Sequence, residues 1–157
     1  MQDVAVDRAR IIAPPPVIYL AILSLGLLLE RLRLTQLLSR PLAVTWGQRS
    51  LFVVWSVGLT GAIRTVWRAQ TPFDPCKPTT GIVTDGLFRF SRNPIHISDT
   101  LFSVSLSLAL NAWWALALTP VLARIMPVGV ITREEEYLQP KFGNEYLQYK
   151  RQVRRWL

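Results

Sequence analysis

TLFSVSLSLALNAWWALALTPVLA, from Thr100 to Ala123, runs for 24 residues without a charge, and its reading decides the fold. A soluble core would scatter its apolar residues at helical or strand periods, whereas this chain gathers them in long blocks. Ile11 to Leu29 is a second block, 19 residues free of charge. A bilayer core takes about 20 apolar helical residues to cross, so both blocks qualify. With half of its 157 residues apolar and 18% charged, the chain reads as an all-α integral membrane protein of one domain.

Working outward from that run, the apolar stretch from Pro94 to Ile131 is too long for one span. Asn111 and the pair Trp113-Trp114 mark a break at an interface, so the expectation is a helical hairpin with spans over about 94–110 and 112–131. Asp99 lies twelve residues before Asn111 and Arg124 thirteen after it, which puts both about 18 Å from the turn at 1.5 Å per residue. Charges at membrane depth are costly unless paired or solvated. The two are expected to face one another or a shared polar cavity; a common position at one interface is the plainer alternative.

Upstream, a first span is expected over 16–32, led in by Pro14-Pro15-Pro16. It ends in Glu30-Arg31-Leu32-Arg33 with no small-residue cleavage site, so it reads as an uncleaved helix. A linker with Arg40-Pro41 is expected along the membrane surface. A second span follows over 50–67, with Arg64 snorkelling beside Trp67. Residues 69–93 differ in kind: Pro72, Pro75, Pro78, Gly81 and Gly86 forbid a long helix, and a structured loop of that length is usually functional. The loop ends at Asn93-Pro94, an N-cap followed by proline at the first helical position.

Past Ile131 the chain turns polar, and short C-terminal helices are expected over 132–157, broken at Gly143. Leu138, Phe142, Tyr146, Tyr149 and Val153 recur at three- and four-residue steps and form one apolar face. Four spans put the N-terminus, the loop and the C-terminus on one side. That side holds Arg8, Arg10, Lys77, Arg89, Arg92, Arg133, Lys141, Lys150, Arg151, Arg154 and Arg155, against mainly Arg31, Arg33, Arg40 and Arg49 on the other. The bias favours a cytoplasmic loop and tail in an inner (plasma) membrane. The same placement of basic residues argues against a nucleic-acid partner, despite the net charge of +8.

Two segments on that side combine polar groups with irregular backbone, Thr79 to His96 and Arg133 to Tyr149. One histidine and one cysteine, Cys76, make no metal-ligand set and no internal disulfide. No serine triad, phosphate loop or dinucleotide fingerprint is present. A reaction here should rest on positioning more than on acid–base groups. The stretch Thr80-Gly81-Ile82-Val83-Thr84-Asp85-Gly86-Leu87-Phe88-Arg89-Phe90-Ser91-Arg92-Asn93-Pro94 resembles the cofactor loop of the isoprenylcysteine carboxyl methyltransferase family, which is related to phospholipid methyltransferases. The tail Glu134-Glu135-x-x-Leu138-x-x-x-Phe142-Gly143-x-x-Tyr146-x-x-Tyr149-x-x-x-Val153 resembles its second signature. The motifs cover about half the chain in the family's order, separated by the hairpin.

The resemblance implies a helical membrane fold whose loop and tail enclose S-adenosyl-L-methionine, with a lipid-like or small amphiphilic acceptor. By motif position Thr80, Gly81, Ile82, Val83 and Phe88 should line the cofactor, as should Arg92, Asn93, Pro94, Ile95, His96, Glu134 and Glu135. The residue types suit it. A carboxylate at Glu134 can pair with an ammonium, Arg92 can take a carboxylate by a fork of N–H groups, and Ile82, Val83 and Phe88 can hold an adenine. Asp99 and Arg124 are the substrate-side candidates. The chain departs from the pattern at Asn93, where the family often has His, at His96, where it often has Tyr, and at Gly81, where a larger apolar residue is common. His96 is more often, in such a place, a satisfied interfacial histidine than a base, and the run of glutamates can be a solvated helix start. A nicotinamide-dependent membrane reductase of related architecture and a non-catalytic membrane module are the alternative readings.

Overall fold

The computed structural model describes residues 8–32, 42–72 and 77–156. Cys76, Pro75, Arg33 and the Arg40-Pro41 linker lie outside the described residues. All regular structure among the described residues is helical: α1 (Pro15–Arg31), α2 (Leu42–Arg68), a 3-10 turn (Gly86–Arg89), α3 (Pro94–Ala109), α4 (Trp113–Ala117), α5 (Thr119–Met126), a π-helical turn (Pro127–Ile131) and α6 (Thr132–Gln152).

The expected hairpin break is where Asn111 puts it. Asn111 has φ +55, a left-handed conformation that asparagine tolerates better than most residues. Its neighbour closes the helix: the Ala112 amide donates to Ser107 O at 2.8 Å, the six-residue return of a Schellman end. Two expectations need correction. The second helix starts at Leu42, eight residues ahead of the expected Ser50, so residues 42–49 are helix. The expected fourth span is three helical pieces, because Pro120 and Pro127 each remove an amide and crowd the carbonyl four residues back. The π turn at Pro127 absorbs the second fault.

α1 packs against α4, α5 and the π turn. Ile18 and Tyr19 join Leu122, Met126 and Val130 in one buried cluster. Close approach is set by small residues, as between membrane helices: a Cβ added at Gly26 would come within 2.3 Å of Ala115 Cα. The Trp114 amide, one of the unpaired donors of the α4 start, donates to the Glu30 carboxylate at 3.2 Å. One acidic residue at the end of α1 thereby caps the next helix of the bundle.

α2 and α3 form the other main pair. Trp55 stacks on Phe102 with ring centroids 4.4 Å apart, and the Ser105 hydroxyl donates to Gln48 O at 3.0 Å. Ser98 and Ser107 are buried but satisfied by carbonyls one turn back, a bond that frees hydroxyls from needing water. The outer face of α2 is left uncovered: Val53, Val54 and Val57 are exposed, Val57 by 69%. By length and composition α2, over Val44–Arg68, is the one described helix able to cross a membrane alone. α1 has 17 residues and α3 has 16, short of the roughly 20 that a perpendicular crossing takes, so four full-length spans do not follow from helix length.

Because the Gly26–Ala115 contact leaves no room for a side chain, Gly26→Leu should part α1 from α4. A loss of about 1–3 kcal/mol is expected, read as a lower melting temperature in detergent. An unchanged melt would show that this contact does not fix the bundle.

Candidate functional site

The site is built by two segments far apart in sequence. Thr79 to Val83 is irregular, with a bend at Gly81, and Gly86, in left-handed backbone with φ +58, turns the chain into the 3-10 turn. A Cβ there would lie 2.7 Å from Thr65 Oγ1, so the turn sits directly on α2. The chain then reaches Ser91 and α3. From the other end α6 folds back along this loop. Its apolar face, Tyr146, Tyr149 and Val153 with Leu138 and Phe142, packs on Ile82, as the three- and four-residue spacing predicted. Gly143, at φ 53 and ψ −125, kinks α6 into two pieces in a region essentially reserved for glycine.

The clasp between the segments combines ion pairs with hydrogen bonds to main-chain carbonyls. Glu135 accepts two hydrogen bonds from Arg155, at 3.0 and 2.8 Å. Arg92 Nη1 lies 3.0 Å from the same carboxylate and Lys150 Nζ 3.6 Å. Arg155 O accepts from Ser91 Oγ at 3.0 Å and from Asn93 Nδ2 at 3.1 Å, while Arg154 O accepts from the Arg92 amide at 2.9 Å. Tyr149 OH donates to Phe88 O at 2.8 Å, and burial lifts its phenol above the ordinary value, so it stays a donor. Asn93 therefore does not cap α3 by its side chain, as its position suggested; its amide is spent on the tail.

Between loop, α3 and α6 lies a cavity of ≈ 220 Å³. Of the cofactor candidates, Gly81, Ile82, Val83 and Phe88 stand in its wall, as do Arg92, Asn93, Pro94, Ile95, His96, Glu134 and Glu135. Thr80 does not. It is exposed, its hydroxyl donating to Gln70 O at 3.1 Å, so it braces the loop. Asp99 is in the wall, but Arg124 is exposed on α5 and outside it, which overturns the pairing expected of the two. Matching depth requires the fourth segment to be one straight helix, and the breaks at Leu118 and Pro127 change the face that Arg124 presents. Tyr137 and the N-terminal Ala9, Pro15 and Pro16 also line the cavity. The step of three from Glu134 to Tyr137 was a signal available for the first; nothing local marked the others.

The wall is mostly apolar with a few unspent polar atoms. Arg92 Nε and Nη1 and His96 Nδ1 are buried without hydrogen-bond partners; the Arg92–Glu135 approach is close, but the angle is not that of a hydrogen bond. Glu134 Oε2 lies 3.5 Å from His96 Nε2. The two adjacent glutamates thus part company. Burial alone would raise the Glu135 carboxyl, but the hydrogen bonds from Arg155 and the charges of Arg92, Arg155 and Lys150 hold it below its ordinary 4.5.

A carboxyl depressed in the folded state gives stability that is full above the unfolded value and lost as pH falls through the folded one. Glu135→Gln should therefore cost about 3–5 kcal/mol at neutral pH, by leaving buried cations unpaired. It should also flatten the fall in melting temperature below about pH 4.5. A variant as acid-sensitive as the wild type would show that another group titrates.

No solved structure matches the chain. A protein of Haemophilus influenzae, described only as uncharacterized, is 48% identical over 61 residues, which cover 34% of this chain and 97% of that protein. The phospholipid methyltransferase family model matches residues 45–145, more than half of the chain and most of the cavity wall. That family takes in the isoprenylcysteine carboxyl methyltransferases that the loop and tail resemble, and with the two motifs meeting over one cavity the chain belongs to the phospholipid methyltransferase family.

Proposed function

We propose that the protein transfers a methyl group from S-adenosyl-L-methionine to a membrane-soluble or amphiphilic acceptor, a carboxylate, thiol or amine carried by a lipid-like molecule. The observation that carries this reading is the buried Arg92 guanidinium in the wall of a mostly apolar cavity, its Nη1 beside Glu135 and its Nε without a hydrogen-bond partner. A buried guanidinium with an unspent Nε–H can donate to a carboxylate, and the donor carries one. Glu134 offers a carboxylate in the same wall for the donor's ammonium. Ile82, Val83 and Phe88 offer an apolar surface for its adenine. The bound donor supplies an electrophilic methyl group on a sulfonium. The residues of the chain bind and orient it and exclude water, and holding donor and acceptor in line supplies much of the acceleration.

The uncovered apolar face of α2 supports a bilayer around it. The proposed arrangement has four membrane segments over α1, α2, α3 and the broken α4–α5 run, all in one methyltransferase-like domain of residues 1–157. The loop and α6 lie at the cytoplasmic side of an inner membrane, in line with the excess of Arg and Lys there. Asp99, in the cavity wall, is the residue proposed to meet an acceptor entering from the bilayer; Arg124, outside the cavity, is not proposed for that role.

Titration of the detergent-solubilised protein with S-adenosylmethionine in a calorimeter tests the reading. Saturable binding is expected; folded protein that binds none would overturn it. Arg92→Gln and Glu134→Ala should each weaken binding at least about tenfold, the lower end of the 1.5–3 kcal/mol of a charged hydrogen bond. Melting curves would separate this from unfolding, since Arg92 also touches the Glu135 clasp.

A further inference from the structure

His96 stands one turn into α3, and its surroundings do not resemble those of a satisfied core histidine. Its residue is 7% exposed, yet Nδ1 is buried with no hydrogen-bond partner and the side chain is part of the cavity wall. Nε2 is 3.5 Å from Glu134 Oε2. The backbone beneath the ring is pinned: His96 O accepts from Tyr19 OH at 3.0 Å and from Thr100 Oγ1 at 2.8 Å. An imidazole whose far nitrogen faces a carboxylate keeps its proton on that nitrogen and leaves the near one bare. A 3.5 Å separation is long for a hydrogen bond, and such bonds tighten when a site fills.

We propose that His96 is the proton acceptor of the cavity: Nδ1 takes a proton from the methyl acceptor, while Glu134 holds Nε2–H and offsets the charge of the imidazolium. The inference rests on the methyl-transfer reading and narrows its acceptor to a group that must lose a proton, a thiol or an ammonium, against a carboxylate that is already ionised. The acceptor's S–H or N–H bond breaks with its electron pair left on sulfur or nitrogen, and the proton passes to Nδ1. That pair forms the new bond to the methyl carbon as the carbon–sulfur bond of the donor breaks, its electrons returning to a neutral thioether. No further reactant is needed. The charged and titratable groups around His96 agree with this. Asp99, one turn on in α3, adds negative charge on the same face. Arg92 is positive but sits against Glu135. Tyr137 and Tyr19 are neutral phenols, and Tyr19 is engaged with the His96 carbonyl.

His96 is the only histidine in the chain, so uniform 15N-histidine labelling reports one ring. In detergent micelles near neutral pH its nitrogens should show Nε2 protonated and Nδ1 bare. Glu134→Gln should loosen that preference and give a mixture of the two tautomers. The opposite tautomer, or a tautomer that Glu134→Gln leaves in place, would overturn the proposal. In label transfer from S-adenosylmethionine into a total membrane lipid extract at saturating donor, His96→Gln should slow the reaction about 10²–10⁴-fold. A variant with the wild-type rate would also overturn it. Wild-type protein that binds no donor would instead sink the methyl-transfer reading, whereas donor binding with the wrong tautomer sinks this one alone.

Discussion

The Glu135 carboxylate, 7% exposed and surrounded by Arg92, Arg155 and Lys150, is what the remainder of the site depends on. Without it three cations would be drawn together in a half-dry place, an arrangement that repels itself. With it the end of the chain is brought against the start of α3, and the carbonyls of Arg154 and Arg155 become acceptors for the Arg92 amide, Ser91 Oγ and Asn93 Nδ2. Buried ion pairs by themselves are poor sources of stability, because desolvation offsets the attraction. Here the clasp adds what the apolar packing of Tyr146 and Tyr149 on Ile82 lacks, a fixed register between two segments that a featureless apolar contact would let slide.

Much of this was legible from residues whose effect is local. Asn111 turned the chain because a left-handed position suits it, and Gly143 kinked α6 because only glycine readily takes its backbone conformation. Proline at position 94 opened α3. The apolar steps from Leu138 to Val153 pointed one face of α6 inward. What sequence reading could not reach were choices decided by distant partners. Asn93 had the chemistry of a helix cap, yet its amide found a better acceptor in Arg155 O. Thr80 stood inside a cofactor motif, but the Gln70 carbonyl took its hydroxyl. Asp99 and Arg124 had matching depth on paper, and the helix faults around Pro120 and Pro127 turned one of them outward. The prolines were visible in the sequence. They divide a length whose apolar character alone suggests one continuous span.

Glu134 and Glu135 show how one helix divides two identical side chains between structure and chemistry. At 3.6 residues per turn, neighbours point about 100° apart. Glu135 is thereby aimed at the tail's own cations, and its charge is used up in holding α6 in place. Glu134 is left facing the start of α3 with no cation among the described residues in range of its carboxylate, only the imidazole of His96. The sequence offers both as equals; the helix rotation separates a charge that is already neutralised from one that can still respond.

That separation bears on why the cavity keeps its unspent atoms. A buried donor or acceptor without a partner costs about 1–3 kcal/mol, and Arg92 Nε and His96 Nδ1 are two such atoms on residues of one wall. Ser98, Ser105 and Ser107, buried nearby in α3, all find carbonyls, so the fold does satisfy hydroxyls where it has only packing to serve. The indoles of Trp55, Trp113 and Trp114 and Asn111 Oδ1 are buried without partners elsewhere; orphaned groups in a cavity wall, held there by a clasp that fixes their positions in advance, are what a site needs if its ligand is to complete them. Water alone would satisfy such atoms on an open surface. In a pocket lined chiefly by Ile82, Val83, Phe88 and Pro94, the ligand has to bring the partners itself.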